Sequence, residues 1–322
     1  MQLARPKQSR AAGSAVAASV SDLVALQGAG ERIDLESLRS ARSRALLAGP
    51  YRSPFRGRGI EFDEVRAYQP GDDARFIDWR VSARRGRVYT KLFHEDRERP
   101  VLVLADAGPS MRFGTRGCFK SVAAVRAAAV LSFAAHHASD RIGGIALSPA
   151  GREEHPARRR QRDLLRWLDA LARATSVPLA GATRAEGNAP GDFTGALARL
   201  ARIAPSGSHA ILISDFYGLD DAARLEIARL ARHRQVTCVQ VYDALEAEAP
   251  PPGRYRVSDG AQTSALETGG RTTRERWGTQ FQARREALRA LCVEHRIPLL
   301  PLRTDQSVVQ AFAPATARRA RA

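Results

Sequence analysis

The chain is poor in cysteine, in lysine and in long apolar runs, and each shortage excludes a class of protein. Its three cysteines are widely spaced and odd in number, so the sequence has neither a disulfide framework nor the C-x-x-C spacing of zinc and redox sites. The most apolar stretch, residues 123–135, is interrupted by Arg126 and Ser132, which argues against a membrane span. We therefore expect a cytoplasmic protein without a transmembrane segment.

Acidic residues are outnumbered by basic ones, which gives a formal net charge of +17. Only three basic residues are lysines and the other 48 are arginines, spread through nearly every segment. A dedicated polyanion binder concentrates its charge on one face or in one tail. The run Arg158-Arg159-Arg160 is the best local argument for an acidic partner, although a solvated helix start explains it as well. A basic nucleic-acid or polyanion-binding protein remains the alternative interpretation.

The length of 322 residues, with 44% hydrophobic and 26% charged residues, indicates one large or two modest folded domains. Composition shifts and turn residues divide the chain into four parts. We predict a mobile N-terminus over residues 1–33, a smaller segment over 34–97, a main domain over 98–313 and a basic tail over 314–322.

Within residues 98–313, apolar runs of strand length alternate with longer segments of helical pattern. The strands are continuous Val/Ile/Leu runs rather than alternating ones, which is typical of a parallel sheet covered on both faces. We predict an α/β fold with a Rossmann-like, doubly wound, mostly parallel sheet. Its predicted strands are 101–105, 141–147, 210–214, 236–242 and 297–302, and its predicted helices are 119–137, 161–174, 194–203, 220–233 and 273–294.

Oxygen-bearing side chains follow the predicted strands at the edge where ligands bind in doubly wound sheets. Asp106 and Ser110 follow the first strand of the main domain, Thr194 begins a helix, and Asp215 follows another strand. A set of hard oxygen ligands suits Mg²⁺ or Mn²⁺. Strand-end and helix-capping roles explain each residue taken alone, whereas their combination favours a site.

This spacing resembles the metal-ion-dependent adhesion site (MIDAS) of von Willebrand factor type A domains, which begins with D-x-S-x-S and continues with a later Thr and a later Asp. The resemblance makes Asp106, Ser110, Thr194 and Asp215 the metal ligands. Gly108 stands where the first Ser of the motif belongs. The resemblance therefore implies a degenerate site with Mg²⁺ or Mn²⁺ as its cofactor.

A second resemblance covers residues 35–312. The run from Gly59 to Trp79, centred on Pro70-Gly71-Asp72-Asp73, is similar to the signature of the domain of unknown function 58 family, and Asp243-x-x-Glu246 continues the likeness. Members couple this signature to a von Willebrand type A domain and are bacterial partners of MoxR-type AAA+ ATPases. The resemblance implies a protein partner of that kind, or its client.

The signature segment mixes basic, acidic and aromatic side chains, which permits two interpretations. One is an ion-pair network that pins the segment onto the sheet. The other is a docking surface, because exposed Arg and aromatic residues favour interfaces. The candidate partner-binding residues are Arg66, Asp72, Asp73, Arg75, Asp78 and Trp79.

The function that these patterns favour is non-catalytic protein binding, in which a metal at the MIDAS-like site accepts an acidic side chain from a partner. A serine hydrolase is the enzyme class to test, since Ser110, Asp215 and His295 occur in the chain order of an α/β hydrolase. The local sequence around Ser110 lacks the second Gly of G-x-S-x-G. We therefore expect no enzymatic activity.

Overall fold

The computed structural model describes residues 14–35, 61–69, 77–94, 99–177, 192–258 and 263–312. The chain divides into two compact units, one formed by residues 47–98 and the other by residues 1–46 together with 99–322. The predicted basic tail at 314–322 lies outside the described residues.

The helices and strands follow one another in the order expected for an α/β protein. The strands are β1 Glu61–Ala67, β2 Tyr89–His94, β3 Val101–Asp106, β4 Ile142–Ser148, β5 Gly151–Arg158, β6 His209–Ser214, β7 Gln235–Tyr242, β8 Arg254–Ser258, β9 Thr263–Glu267 and β10 Leu299–Arg303. The helices are α1 Val20–Val24, α2 Gln27–Gly30, α3 Trp79–Arg85, α4 Lys120–His137, α5 Gln161–Ser176, α6 Phe193–Ile203, α7 Asp221–His233, α8 Ala244–Ala247, α9 Arg271–Glu294 and α10 Val308–Phe312.

The larger unit is built on a six-stranded sheet with the order β10-β7-β6-β3-β4-β5. All neighbouring strands run parallel except β4 and β5, which are antiparallel. This confirms the predicted Rossmann-like, mostly parallel sheet. The antiparallel edge strand β5 was not predicted, because its alternating charged residues look like a loop when read without their partner strand.

Alternate residues of β3 enter separate cores on the two faces of the sheet. Val101, Val103 and Ala105 pack with α4 and α5 on one face, whereas Leu102 and Leu104 pack with α6, α7 and α9 on the other. This division follows from the two-residue period of a strand. Because both faces are covered, a polar group can meet solvent near β3 only at the ends of the strand.

The N-terminal segment departs from the sequence-based expectation of a mobile region. Residues 14–35 contain α1 and α2, and Leu23 is fully buried in the core beside α4. A Cβ atom at Gly30 would lie 2.4 Å from Cβ of Phe133, so glycine permits α2 to approach α4 closely. Both helices are too short to give a clear helical period, and their packing against α4 holds them.

In the smaller unit, β1 and β2 pair antiparallel in a two-stranded sheet of their own. Helix α3 connects them and begins at Asp78, whose carboxylate accepts hydrogen bonds from the backbone N–H groups of Arg80 and Val81, each at 3.0 Å. Helix α3 ends at Gly86, which has a φ of +66°, a conformation that favours glycine. Among the helices of the described ranges, none has both the length and the hydropathy to cross a membrane.

Candidate functional site

The site lies at the carboxyl ends of β3 and β6, which are neighbours in the sheet and end side by side. Asp106 is the last residue of β3 and is 5% exposed. Its Oδ2 accepts a hydrogen bond of 2.6 Å from the Ser214 hydroxyl, and its Oδ1 accepts one of 2.8 Å from the Gly108 backbone N–H. The Asp106 carboxylate is therefore held in one orientation by the end of β6 and by its own loop.

A second carboxylate, that of Asp215, lies close enough to Asp106 to change its acidity. Burial and the negative charge of Asp215 raise the pKa of Asp106 to about 6, against the lowering effect of the hydrogen bonds from Ser214 and Gly108. The end of the sheet therefore holds two adjacent negative charges with little solvent around them.

Lys120, the first residue of α4, is paired with Asp215 inside the protein. Its ammonium lies 2.7 Å from Oδ2 of Asp215 and 2.6 Å from Oε1 of Glu246, and the residue is 1% exposed. Burial by itself lowers the pKa of Lys120, but the two carboxylates outweigh it, so the pKa is raised. Lys120 is therefore a permanently charged group at this site.

Glu246 is held in place by a network at the end of β7. Asp243 and Glu246 form a capping box at the start of α8, in which Oε2 of Glu246 accepts a hydrogen bond of 2.9 Å from the Asp243 backbone N–H. The fully buried Asp243 accepts further bonds from the hydroxyls of Thr115 and Thr304. Despite burial, these bonds lower the pKa of Asp243. The network orients Glu246 toward Lys120.

Ser110 lies at the solvent side of the cluster. It belongs to a short 3₁₀ turn, Pro109–Met111, and is exposed. Its hydroxyl donates to Oδ1 of Asp215 across 3.3 Å, and the Tyr217 backbone N–H donates to the same oxygen at 2.9 Å. The buried carboxylates are therefore reached from solvent past Ser110.

Thr194 makes its hydrogen bond to a residue other than the three remaining predicted ligands. It lies in the first turn of α6, and its hydroxyl donates to Oδ1 of Asp220 across 3.4 Å. Asp220 is itself the N-cap of α7. The structure thus brings Asp106, Ser110 and Asp215 together, while Thr194 bonds to the neighbouring helix start.

The carboxylates of the cluster do not by themselves form a closed metal site. Three carboxylates, Asp106, Asp215 and Glu246, are offset by the single ammonium of Lys120, which leaves a formal excess of two negative charges. Within the described ranges, no group of three or more His, Cys, Asp or Glu side chains is arranged to hold a metal. A cation here would depend on Ser110 and on water for its remaining ligands, as Mg²⁺ commonly does.

Sequence reasoning missed Lys120 and the two threonines that bond to Asp243, Thr115 and Thr304. One signal was available for Lys120. It is one of only three lysines among 51 basic residues and opens an otherwise apolar helix, a place where an arginine-rich composition would supply arginine. Thr304 carries no sequence signal, because it is a single hydroxyl residue after a short strand.

Of the candidate partner-binding residues, Asp78 and Trp79 are described with their side chains. Asp78 caps α3, whereas the Trp79 side chain beside it is 69% exposed. Arg66 is paired in β1 with Thr90 of β2, and its side chain lies outside the description. Asp72, Asp73 and Arg75 lie outside the described residues. The segment thus contains both a structural cap and an exposed aromatic ring.

Known proteins resemble this chain in sequence. Residues 64–287 match the model of a family described as "Protein of unknown function DUF58". Uncharacterized proteins of Mycobacterium bovis and Mycobacterium tuberculosis are 30% identical over 262 residues, which cover 81% of this chain and 80% of each relative. The solved structure of a conserved hypothetical protein BatB from Bacteroides thetaiotaomicron is similar over 70% of this chain and 100% of its own, at 14% identity and a TM-score of 0.41.

Proposed function

The chain belongs to the DUF58 family of proteins of unknown function, and from the geometry of its strand ends we propose that it is a non-catalytic, cytoplasmic protein-interaction module. The binding point is the cluster of Asp106, Ser110 and Asp215. A partner docks at this edge of the sheet through an acidic side chain.

The observation that carries the proposal is the uncompensated charge of the cluster. Asp106 is 5% exposed and the Asp215 side chain is 6% exposed. Among the described residues, Lys120 is the cation paired with Asp215 and with Glu246. Buried charge without a counter-charge is costly, and an excess of two negative charges is what one divalent cation neutralises. The rest of the chain is strongly basic, so this acidic spot is a local feature rather than a general one.

We propose Mg²⁺ or Mn²⁺ as the cofactor, held by Asp106, Ser110 and Asp215, with Thr194 as a further predicted ligand. The ion supplies a positive centre at which a carboxylate of the partner completes the coordination. In this chain, the Gly108 N–H and the Ser214 hydroxyl keep the Asp106 carboxylate in a fixed orientation.

A binding role agrees better than a catalytic one with the state of Ser110. Its hydroxyl donates to Asp215, but the other oxygen of that carboxylate is engaged by Lys120 at 2.7 Å. The Tyr217 backbone N–H donates to the same Oδ1 as Ser110, so both oxygens of this carboxylate already accept hydrogen bonds from other groups. Ser110 is therefore suited to act as a ligand rather than as an activated nucleophile.

The proposed partner is a MoxR-type AAA+ ATPase or a client of one, which rests on the family resemblance of the signature segment and of Asp243-x-x-Glu246. The test is capture of a purified MoxR-type ATPase from the same genome by the full-length protein. We expect capture in the presence of Mg²⁺ and its loss in EDTA and in Asp106→Ala.

The matched control is Asp221→Ala, which removes an exposed carboxylate at the start of α7 and should leave capture unchanged. Circular dichroism establishes that both variants are folded. Capture that is equally strong in Asp106→Ala and in EDTA would contradict binding through the carboxylate cluster. Loss of capture in both variants would show that it depends on overall charge.

A further inference from the structure

Two carboxylates at the end of the sheet converge on the ammonium of Lys120. The ammonium lies 2.7 Å from Oδ2 of Asp215 and 2.6 Å from Oε1 of Glu246, and it is 6.0 Å from the centre of the Phe113 ring. An ammonium has three N–H donors, so two of the three serve carboxylates. Asp215 and Glu246 therefore share a cation that the chain itself supplies.

The hydrogen bonds of Asp215 leave room for a further ligand only beside Lys120. Oδ1 of Asp215 accepts from the Ser110 hydroxyl at 3.3 Å and from the Tyr217 backbone N–H at 2.9 Å, whereas Oδ2 accepts from the Lys120 ammonium. A carboxylate oxygen has two lone pairs, so these bonds occupy Oδ1 fully and leave one lone pair on Oδ2. A divalent cation that used this lone pair would be repelled by the adjacent ammonium.

Glu246 is positioned independently of Lys120. Its Oε2 accepts the Asp243 backbone N–H at 2.9 Å, which leaves Oε1 for the ammonium. The Glu246 side chain is 19% exposed, against 6% for Asp215, so it is the more open of the two acceptors. The flexible four-carbon stem of lysine permits the ammonium to stay on Glu246 when it leaves Asp215.

From these contacts we propose that Lys120 is a built-in competitor of the divalent cation and sets the affinity of the carboxylate cluster for it. The ammonium bridges Asp215 and Glu246 in the structure, and it releases Asp215 and stays on Glu246 when a cation binds. Lys120 and Glu246 are thus positioning residues, whereas Asp106, Ser110 and Asp215 are the ligands. This role rests on the proposed function, because it concerns the same cation.

The first test is isothermal titration of Mn²⁺ into the full-length protein and into Lys120→Met. Loss of the ammonium should tighten Mn²⁺ binding by about tenfold or more. The matched control is Arg232→Met, which removes an exposed positive charge in the last turn of α7 and should leave the affinity within about twofold. Circular dichroism at the temperature of the titration establishes that both variants are folded.

Glu246→Gln tests whether Glu246 acts through Lys120. In the wild-type background it should weaken Mn²⁺ binding, because the ammonium no longer has a second carboxylate to which it can withdraw. In the Lys120→Met background the same substitution should weaken Mn²⁺ binding much less. Equal weakening in the two backgrounds would show that Glu246 acts on the cation by its own charge, and would contradict the withdrawal of Lys120 to Glu246.

A measurement on the wild-type side chain does not depend on the folding of Lys120→Met. The chain contains only three lysines, so lysine labelled with ¹³C at Cε gives three NMR signals, which Lys7→Arg and Lys91→Arg assign. We expect Mg²⁺, which is diamagnetic, to shift the Lys120 signal saturably as its ammonium leaves Asp215. A Lys120 signal that does not move at a Mg²⁺ concentration that saturates the protein would overturn the proposal.

The titrations distinguish failure of this role from failure of the proposed function. Mn²⁺ binding that Asp106→Asn abolishes and a folded Lys120→Met leaves unchanged would overturn the role of Lys120 alone. Mn²⁺ binding by Lys120→Met but not by wild type would support the competitor role and contradict the proposed cofactor. Absence of Mn²⁺ binding in both proteins would overturn both proposals.

Discussion

The ammonium of Lys120 lies 2.7 Å from Oδ2 of Asp215 in the interior of the protein, where it joins the start of α4 to the end of β6. The same ammonium reaches Glu246 at the start of α8. One lysine thus connects three loops at the carboxyl end of the sheet. Because the residue is almost fully buried, solvent cannot take the place of either charged partner.

Replacement of Lys120 by Met is expected to destabilise the protein by about 3 kcal/mol or more, because it leaves two carboxylates buried without a counter-charge. The measurement is urea denaturation at pH 7. The control is the double variant Lys120→Met with Asp215→Asn, which should recover part of the loss. A single variant within about 0.5 kcal/mol of wild type would show that the carboxylates are compensated in another way.

Asp106→Asn is expected to stabilise the metal-free protein at neutral pH. The folded pKa of Asp106 is about 6 and its ordinary value is 3.8, so the folded state holds the proton more tightly and loses stability as the pH rises through that window. The side chain in Asp106→Asn does not ionise, so the variant avoids this loss. Its free energy of unfolding should rise by at most about 3 kcal/mol above pH 6. Urea denaturation in EDTA at pH 4 and at pH 8 measures the difference. A gain in unfolding free energy that is larger at pH 4 than at pH 8 would contradict the raised pKa of Asp106.

Asp243→Asn is expected to destabilise the protein at neutral pH, unlike Asp106→Asn. The pKa of Asp243 is lowered by the hydrogen bonds that its carboxylate accepts, so its contribution is present above pH 3.8 and is lost as the pH falls through the folded pKa. The variant should cost about 1–3 kcal/mol at pH 7 and less at pH 3. Asp221→Asn, on an exposed residue, is the control and should be neutral at both values.

Trp79→Ala tests whether the signature segment takes part in docking. The side chain is 69% exposed, so its loss should change the unfolding free energy by no more than about 0.5 kcal/mol. Exposed tryptophans are often hot spots of interfaces, and we expect weaker capture of the ATPase partner. Unchanged capture would exclude the Trp79 side chain from docking and leave Asp78 as the cap of α3.

The sheet was predictable because its central strands are uniform apolar runs, and β3 and β6 are buried along their whole length. The edge strand β5 was not, since four of its eight residues are arginine or glutamate and partners such as Arg199 for Glu154 are distant in sequence. Helices α1 and α2 were also not predicted, because contacts with the distant helix α4 stabilise them and neither has a helical period of its own.

The site was predictable where a strand end fixes a residue in space. Asp106, Ser110 and Asp215 follow adjacent strands and meet because parallel strands end at one edge of the sheet. Lys120 was not predictable in this way, since its partners are 95 and 126 positions away along the chain and no local rule joins them. Thr194 follows the stretch 178–191, which lies outside the described residues.

The most direct test of the account is isothermal titration of Mn²⁺ into the full-length protein, beside Asp106→Asn and the control Asp221→Asn. The account predicts saturable binding of one ion by wild type and by the control, and its loss in Asp106→Asn. Absence of saturable binding in wild type, or binding that Asp106→Asn leaves unchanged, would contradict a cation at the carboxylate cluster.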